Sequence, residues 1–422
     1  MELKGKRLLV LGGSLWKKAI ADFAKENGVT LVATGNDQSA GIFEIAEECY
    51  DINSTDHEGM KKLIIEKKID GVYMGGSEAV ISAACQYLQE LSMPCYCTKH
   101  QWDYLQHKGN FKELCIKFGL PVVPRYPLVE DQLETLEETA YPVITKPADG
   151  CGSSGFSVCH NLRELKDGYK KAKENSASGN VIIEKFVKNE GVVVFLTFSN
   201  GKMYFSGLED KYPVRYENEG SYVAGLLTLQ SKATNEFREL FEEKMEKMLS
   251  SIGIKEGSVW IEVFRNQDAY YFNEVGFRYG GTVSVYPVDY FFNINQVSAD
   301  MYYALTGKSK ITGHTSLIPA ELNRKKHYAV YPVHLNAGTI AAIHGVKELE
   351  AMKNIVTVPT TKKIGDTIEQ TGSFSQAFAL VHIVYDTVEE LRASIDRVHD
   401  MLIVEDESGN NLVHRMLERE RF

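Results

Sequence analysis

Residues 141–156 read YPVITKPADGCGSSGF. An apolar run delivers Lys146 and gives way at once to a loop carrying Gly150, Gly152 and Gly155. Glycines let a backbone approach a phosphate closely, and successive N–H groups can form an anion-binding concavity. A lysine at the end of the preceding strand supplies a point charge. The stretch is not a Walker A loop, since it lacks a Gly-Lys-Ser/Thr ending and no helix sits directly on it. A plain turn between two strands of a hairpin is the alternative, but a lysine among apolar strand neighbours needs an anionic partner. A phosphate is the expected one.

Two downstream segments extend the reading. In VIIEKFVKNEG (181–191) Glu184 follows three apolar residues and so lies at a strand's end. The extended backbone of Lys185, Phe186 and Val187 can offer N–H and C=O groups to a purine edge, with Glu184 accepting from an exocyclic amine. A surface glutamate at a strand terminus is the simpler alternative. In SVWIEVFRNQDAYYFNEVGFRYGG (258–281) two strands flank the turn Arg265-Asn266-Gln267-Asp268, and Glu262 and Glu274 stand on its two arms. Side-by-side carboxylates repel unless a cation holds them, and magnesium on a substrate's phosphates suits one or two such groups. Arg278 follows, beside Gly280-Gly281, where it can clamp a phosphoryl group. A solvated hairpin with its charges outside leaves unexplained why both glutamates sit among Trp, Ile, Val and Phe.

The surroundings read as α/β. Over the first hundred residues apolar runs (KRLLVLGG, 6–13; VTLVATG, 29–35; IDGVYMGG, 69–76; MPCYC, 93–97) are predicted strands, with helices through Leu15, Ala19 and Phe23 and through Ala79, Ala83 and Tyr87. Such alternation implies a parallel sheet. Gly12-Gly13-Ser14 and Gly75-Gly76-Ser77-Glu78 sit where strands give way to helices, the usual ligand position in open α/β sheets, but neither completes a dinucleotide fingerprint. A helix is expected from Gln101 to Gly119, an amphipathic one through Phe237, Phe241, Met245, Met248 and Ile252, and a last one through Val388, Leu391, Ile395, Val398 and Leu402. Short strands punctuated by glycines precede that last helix.

Composition narrows the function classes. With 422 residues the chain needs two to four domains, and its 44% hydrophobic and 25% charged residues are ordinary for a globular protein. A net charge of −10 argues against broad nucleic-acid binding. No apolar run reaches the roughly 18–20 residues of a membrane span. The N-terminal MELKGKRLLVLGG reads as a first strand rather than a signal peptide. The seven cysteines are scattered, only Cys95 and Cys97 lying close, so reduced thiols are expected rather than a zinc or disulfide framework. A cytoplasmic protein with no membrane or nucleic-acid partner follows.

The order and spacing of these motifs resemble the ATP-grasp superfamily, in particular bacterial L-amino acid ligases and biotin carboxylase-like enzymes. YPVITKPADGCGSSG is similar to its strand-lysine and glycine-loop motif, IIEKFV to its adenine-contacting segment, and Glu262 and Glu274 with trailing Arg278 to its magnesium and phosphoryl set. Lys108, in WDYLQHKGNFKELCIKFGLPVVP, resembles its first ATP lysine. The resemblance implies a Rossmann-like domain over 1–98, a two-lobed ATP-grasp domain over 99–325 with a lid at about 140–190, and a small α+β domain over 326–422. It implies ATP held by Lys108, Lys146, Ser153, Ser154, Gly155, Glu184, Lys185, Phe186, Val187 and Glu190. Mg2+, or Mn2+ in its place, would sit on Glu262 and Glu274. Lys146 and Arg278 would act in catalysis, and Lys211, Arg215 and Arg278 would border the acid substrate. A homodimer is expected. The implied reaction activates a carboxylate as an acylphosphate and joins it to an amine. A carboxylase-like or purine-pathway reaction through carboxyphosphate, or a non-catalytic ATP-binding relative, are the alternatives. Three departures stand out: Gly276 where the family has Asn, Ser154 where many relatives have a basic residue, and an acidic ribose residue shifted to Glu190.

Overall fold

The computed structural model describes residues 2–148, 155–187, 191–214, 216, 223–266, 269–311 and 326–417. The first unit is a parallel sheet of order β3-β2-β1-β4, built from β1 (Arg7–Val10), β2 (Thr30–Thr34), β3 (Glu48–Tyr50) and β4 (Gly71–Tyr73). Its helices are α1 (Lys17–Asn27), α2 (His57–Glu66) and α3 (Glu78–Glu90). Two expectations fail here. MPCYC (93–97) forms no strand, and the fourth strand is the short Glu48–Tyr50. Pro94 has no N–H to give a ladder, and Cys97 turns into the core instead. There the sulfurs of Cys85, Cys95 and Cys97 lie within 4.8 Å of one another.

The helix expected over 101–119 is two: α4 (Lys99–Gln106) and α5 (Lys108–Lys117). His107 breaks the run with an extended backbone (ψ 105°), and its Nδ1 accepts from the Asn110 N–H, capping the second helix. Lys108 therefore opens a helix.

A separate three-stranded layer of order β6-β5-β7 comprises β5 (Val143–Pro147), β6 (Ser157–Cys159) and β7 (Val181–Lys185). Helix α6 (Leu162–Glu174) covers it, and Val143, Cys159, Leu165 and Ile183 give it a core of its own. The main sheet runs β12-β11-β8-β9-β10-β13-β17-β15, with β19 added on β13. Its strands are β8 (Gly191–Ser199), β9 (Lys202–Val214), β10 (Val223–Leu229), β11 (Gly257–Asn266), β12 (Ala269–Gly276), β13 (His327–Leu335), β15 (Ile355–Thr357), β17 (Ala377–Tyr385) and β19 (Val413–His414). The β10–β13 ladder thus joins the central and C-terminal stretches in one sheet. The amphipathic α7 (Thr234–Ser251) packs Phe237, Phe241 and Met245 onto it. Helices α8 (Val285–Phe292) and α9 (Gln296–Thr306) bridge back to the first unit, whose β4 meets α9.

The C-terminal part adds a small sheet of order β16-β14-β18, from β14 (Gly338–His344), β16 (Thr367–Ile368) and β18 (Ile403–Asp406). Helix α10 (Val346–Glu350) is short, and α11 (Val388–Met401) buries Leu391, Ile395 and Val398 against β17. Among the described residues no helix is long and apolar enough to cross a membrane.

A buried polar chain ties the first unit to the hairpin that carries Arg278. Trp16 Nε1 donates to Tyr73 at 2.7 Å, Tyr73 donates to Tyr279 at 3.3 Å, and Tyr279 donates to Asp300 on α9.

Candidate active site

Glu262 of β11 and Glu274 of β12 are direct cross-strand partners, so both side chains leave the same face of the hairpin. Pairing slips after Glu262 because Asn273 is extra on its strand, a β-bulge. Asn273 Nδ2 donates to Glu262 Oε2 at 2.7 Å, and Lys211 of β9 pairs with Glu262 Oε1. The Glu274 carboxyl is raised above its ordinary value by burial and by the nearby charges of Glu262 and Glu78, against the pull of Lys108 and Arg278. A carboxylate in that position gains from an added cation, which is the test a magnesium ligand should pass. Lys108, at the start of α5, holds its Nζ 4.0 Å from Glu274 Oε1.

Arg278 is gripped from the first unit. Its Nη2 and Nε donate to Glu78 Oε1 at 2.7 and 3.1 Å, and Nη1 donates to the Tyr279 carbonyl at 2.8 Å. Glu78 opens α3 directly after Gly75-Gly76-Ser77, so that strand-to-helix turn faces the hairpin. The Arg278 guanidinium also lies 5.3 Å from the Trp260 ring centre.

Trp260 explains the departure at Gly276. The two residues are cross-strand partners, and a Cβ at 276 would fall 2.1 Å from Trp260 Nε1. A side chain at 276 has no room here, because the Trp260 indole occupies its place.

A second cluster forms at the three-stranded layer. Glu184 is buried and accepts from three cations: Lys112 of α5, Arg125 (Nε, 2.9 Å) and Lys146 of β5 (2.6 Å). Burial alone would raise its carboxyl, but Lys146 and Lys112 outweigh that and hold it at about 2. Lys112 moves the other way, down to about 8, because burial and the Lys146 and Arg125 charges outweigh its bond to Glu184. Three cations around one carboxylate leave two positive charges uncompensated, an environment suited to a polyphosphate. The anion that Lys146 needs is therefore in part Glu184 itself. Motif spacing alone does not single out Lys112 or Arg125; the available signal for Lys112 is its place four residues after Lys108, one helical turn on.

Next to Glu184, the Lys185 N–H donates to the Pro124 carbonyl and the Phe186 N–H to that of Pro142, both at 3.0 Å. Gly155 has φ +72°, and a Cβ there would fall 2.7 Å from Asn175 Cβ, so glycine closes the loop tightly against α6. Gly150, Gly152, Ser153, Ser154, Glu190 and Arg215 lie outside the described residues.

Over the face of β11, β8, β9 and β10 opens a cavity of 570 Å³, bounded by Lys211, Trp260, Glu262, Arg278, Glu209 and Phe374. Lys211, Arg278 and Glu262 thus share one space.

Comparison with known proteins agrees with this layout. Residues 107–201 match the family described as carbamoyl-phosphate synthase L chain, ATP binding domain, and residues 333–407 match L-amino acid ligase C-terminal domain 2. The first match spans α5, the lid and the Glu184 cluster. The fold is that of the ATP-grasp enzymes. Among curated relatives, phosphoribosylamine–glycine ligase of Methanopyrus kandleri is 25% identical over 236 residues, 52% of this chain and 52% of that protein. The carbamoyl phosphate synthase large chain of Clostridium botulinum is 24% identical over 60% of this chain and 24% of its own. The chain therefore spans about half the length of the first relative and about a quarter of the second. Among solved structures, the L-amino acid ligase of Bacillus licheniformis superposes with TM-score 0.72 at 18% identity, covering 96% of this chain and 99% of the other. The biotin carboxylase domain of Hydrogenobacter thermophilus 2-oxoglutarate carboxylase, solved with MgADP and bicarbonate, gives 0.72 at 18% over 94% and 90%.

Proposed function

We propose that this ATP-grasp protein is an ADP-forming ligase that activates a carboxylate as an acylphosphate and joins it to an amine. One observation carries the proposal: Glu262 and Glu274 stand side by side on a bulged hairpin, and Glu262 lines a cavity with Arg278 and Lys211. On this reading Lys108, Lys112, Arg125 and Lys146 receive the nucleotide phosphates. Glu184 positions three of those cations, and Oε2, which takes only the Lys146 donor, keeps one lone pair to accept from an adenine amine. Val187, next along from the occupied Lys185 and Phe186 donors, offers its N–H to the purine. Glu262 and Glu274 would hold magnesium, which neutralises the phosphate oxygens as charge shifts between them.

The substrate carboxylate, steered by Lys211 and Arg278, attacks the terminal phosphorus, and ADP leaves. The amine nitrogen then attacks the carbonyl carbon of the acylphosphate, losing a proton as inorganic phosphate departs. Arg278 stabilises the moving phosphoryl group by charge-assisted hydrogen bonds, which requires it to trade its Glu78 partner for phosphate. The match of 333–407 to an L-amino acid ligase domain supports amino acids as the substrates. A cytoplasmic homodimer is the setting proposed for the reaction.

The test is ADP release with amino acids, hydroxy acids and small amines, singly and in pairs, with bicarbonate as a separate arm. An amino-acid pair should release ADP, and Glu274→Gln should abolish the signal. Release that needs bicarbonate would replace the reading with carboxyphosphate chemistry, and full activity of Glu274→Gln would remove the metal assignment.

A further inference from the structure

Glu209 is the least explained charged group of the cavity. It lies on β9, is 1% exposed, and has no hydrogen-bond partner for either carboxylate oxygen among the described residues. A buried carboxyl without a partner costs free energy, so native proteins retain one for a reason. Its cross-strand neighbours are Val193 on β8 and Leu229 on β10, both apolar, so the sheet itself supplies no counter-charge. Burial first, and the charge of Asp210 second, push the carboxyl well up against the weaker pull of Lys211.

The register fixes where this group points. Glu274 pairs with Glu262, Glu262 with Val193, and Val193 with Glu209, so the three glutamates stand in one row across four strands and share a face. At about 4.8 Å between neighbouring strands, Glu209 is about 10 Å along the sheet from Glu262. Lys211, two residues on along the same face, reaches back to Glu262, and Glu209 lines the same cavity two strands along from Glu262. A ligand whose acid end lies at Glu262, Arg278 and Lys211 therefore extends toward a single buried acid.

We propose that Glu209 binds the ammonium group of a substrate, so that the molecule filling this cavity is an amino acid and not a simple carboxylic or hydroxy acid. This rests on the ligase reading for the identity of the acid end. An ammonium donates to the Glu209 oxygens, supplies the missing counter-charge and leaves the apolar neighbours in place.

The experiment titrates the full chain, with ADP and Mg2+ present, with L-amino acids and their matching 2-hydroxy acids by calorimetry. Wild type should bind at least one amino acid about 10- to 100-fold more tightly than its hydroxy analogue, the range of a hydrogen bond to a charged group. Glu209→Gln should lose that advantage while its affinity for ADP and for the hydroxy acid stays unchanged. Glu209→Asp, which keeps the charge, should retain part of it, a rescue that a purely structural role would not give. Equal binding of amino and hydroxy acids by wild type, no binding of any amino acid, or an unchanged advantage in Glu209→Gln each overturns the inference. None of these touches the ligase reading, which fails separately if ADP does not bind or if no substrate pair releases it.

Discussion

Trp260 and Gly276 should behave as one unit, and a double-mutant cycle can measure that. Gly276→Asn places its Cβ where only 2.1 Å separates it from Trp260 Nε1. Overpacking of this kind costs about 1–3 kcal/mol. Trp260→Ala removes a half-buried ring, so about half of the ~3–5 kcal/mol for truncating a fully buried aromatic is expected, near 2 kcal/mol. It also removes the contact with Arg278, worth about 0.5–1 kcal/mol. Independent sites would add to roughly 3–6 kcal/mol. Because the two residues contend for one volume, the double variant should be no less stable than Trp260→Ala alone, a coupling of about 1–3 kcal/mol. Urea denaturation followed by far-ultraviolet circular dichroism gives the stability arm. The functional arm is the Mg2+ concentration that half-saturates ADP release, which should fall in the double variant as the introduced side-chain amide adds an oxygen ligand beside Glu274. Losses that add within about 0.5 kcal/mol would refute the packing argument.

Other consequences follow from the same geometry. Lys146→Ala and Lys112→Met each remove one of the cations around Glu184, and ADP affinity by calorimetry should drop about 10- to 100-fold in each, as for a charged hydrogen bond. Unchanged affinity would detach the cluster from the nucleotide. Asp300, raised to about 7 by desolvation, holds a proton that the unfolded chain releases near its ordinary 3.8. Its contribution to stability is therefore full below pH 4 and is lost as pH rises to 7, on the order of 4 kcal/mol. The melting temperature should fall between pH 5 and 8 in wild type, and Asp300→Asn should flatten that slope; parallel slopes would exclude Asp300.

Much of the fold was legible because it rests on local patterning. The strands around Lys146 and Glu184, the hairpin of Glu262 and Glu274 and the helices through Phe237 and Val388 carry their periodicity in the sequence. What escaped was set by tertiary contact. MPCYC has the apolar content of a strand, but Pro94 and the pull of its cysteines into the core outweigh that propensity. The break at His107 depends on a side chain capping its own helix. Arg125 and Glu78 reach the site only because distant segments meet there, and no spacing rule could have joined Arg278 to a residue 200 positions earlier. Glu209 was hidden for a different reason: within GLEDKY it is one charge among several, and only the strand register separates it from Asp210, which turns to Ser231 instead.

Gly276 is where sequence and structure give different meanings to one observation. Read alone, glycine in place of an expected asparagine is a lost metal ligand and points toward a weakened or non-catalytic protein. The register turns that loss into an exchange, since the neighbouring strand contributes Trp260 to the same volume. An indole there cannot bind magnesium, but it packs against Arg278 and forms one wall of the cavity. A degraded site would have no reason to keep a large aromatic in contact with Arg278, nor two carboxylates in register beside it. On the proposed ligase reading, the exchange would shift the residue's role from the metal to the substrate. If so, Trp260→Phe should change which amino acids release ADP more than it changes the Mg2+ requirement, and the reverse outcome would return Gly276 to the status of a simple loss.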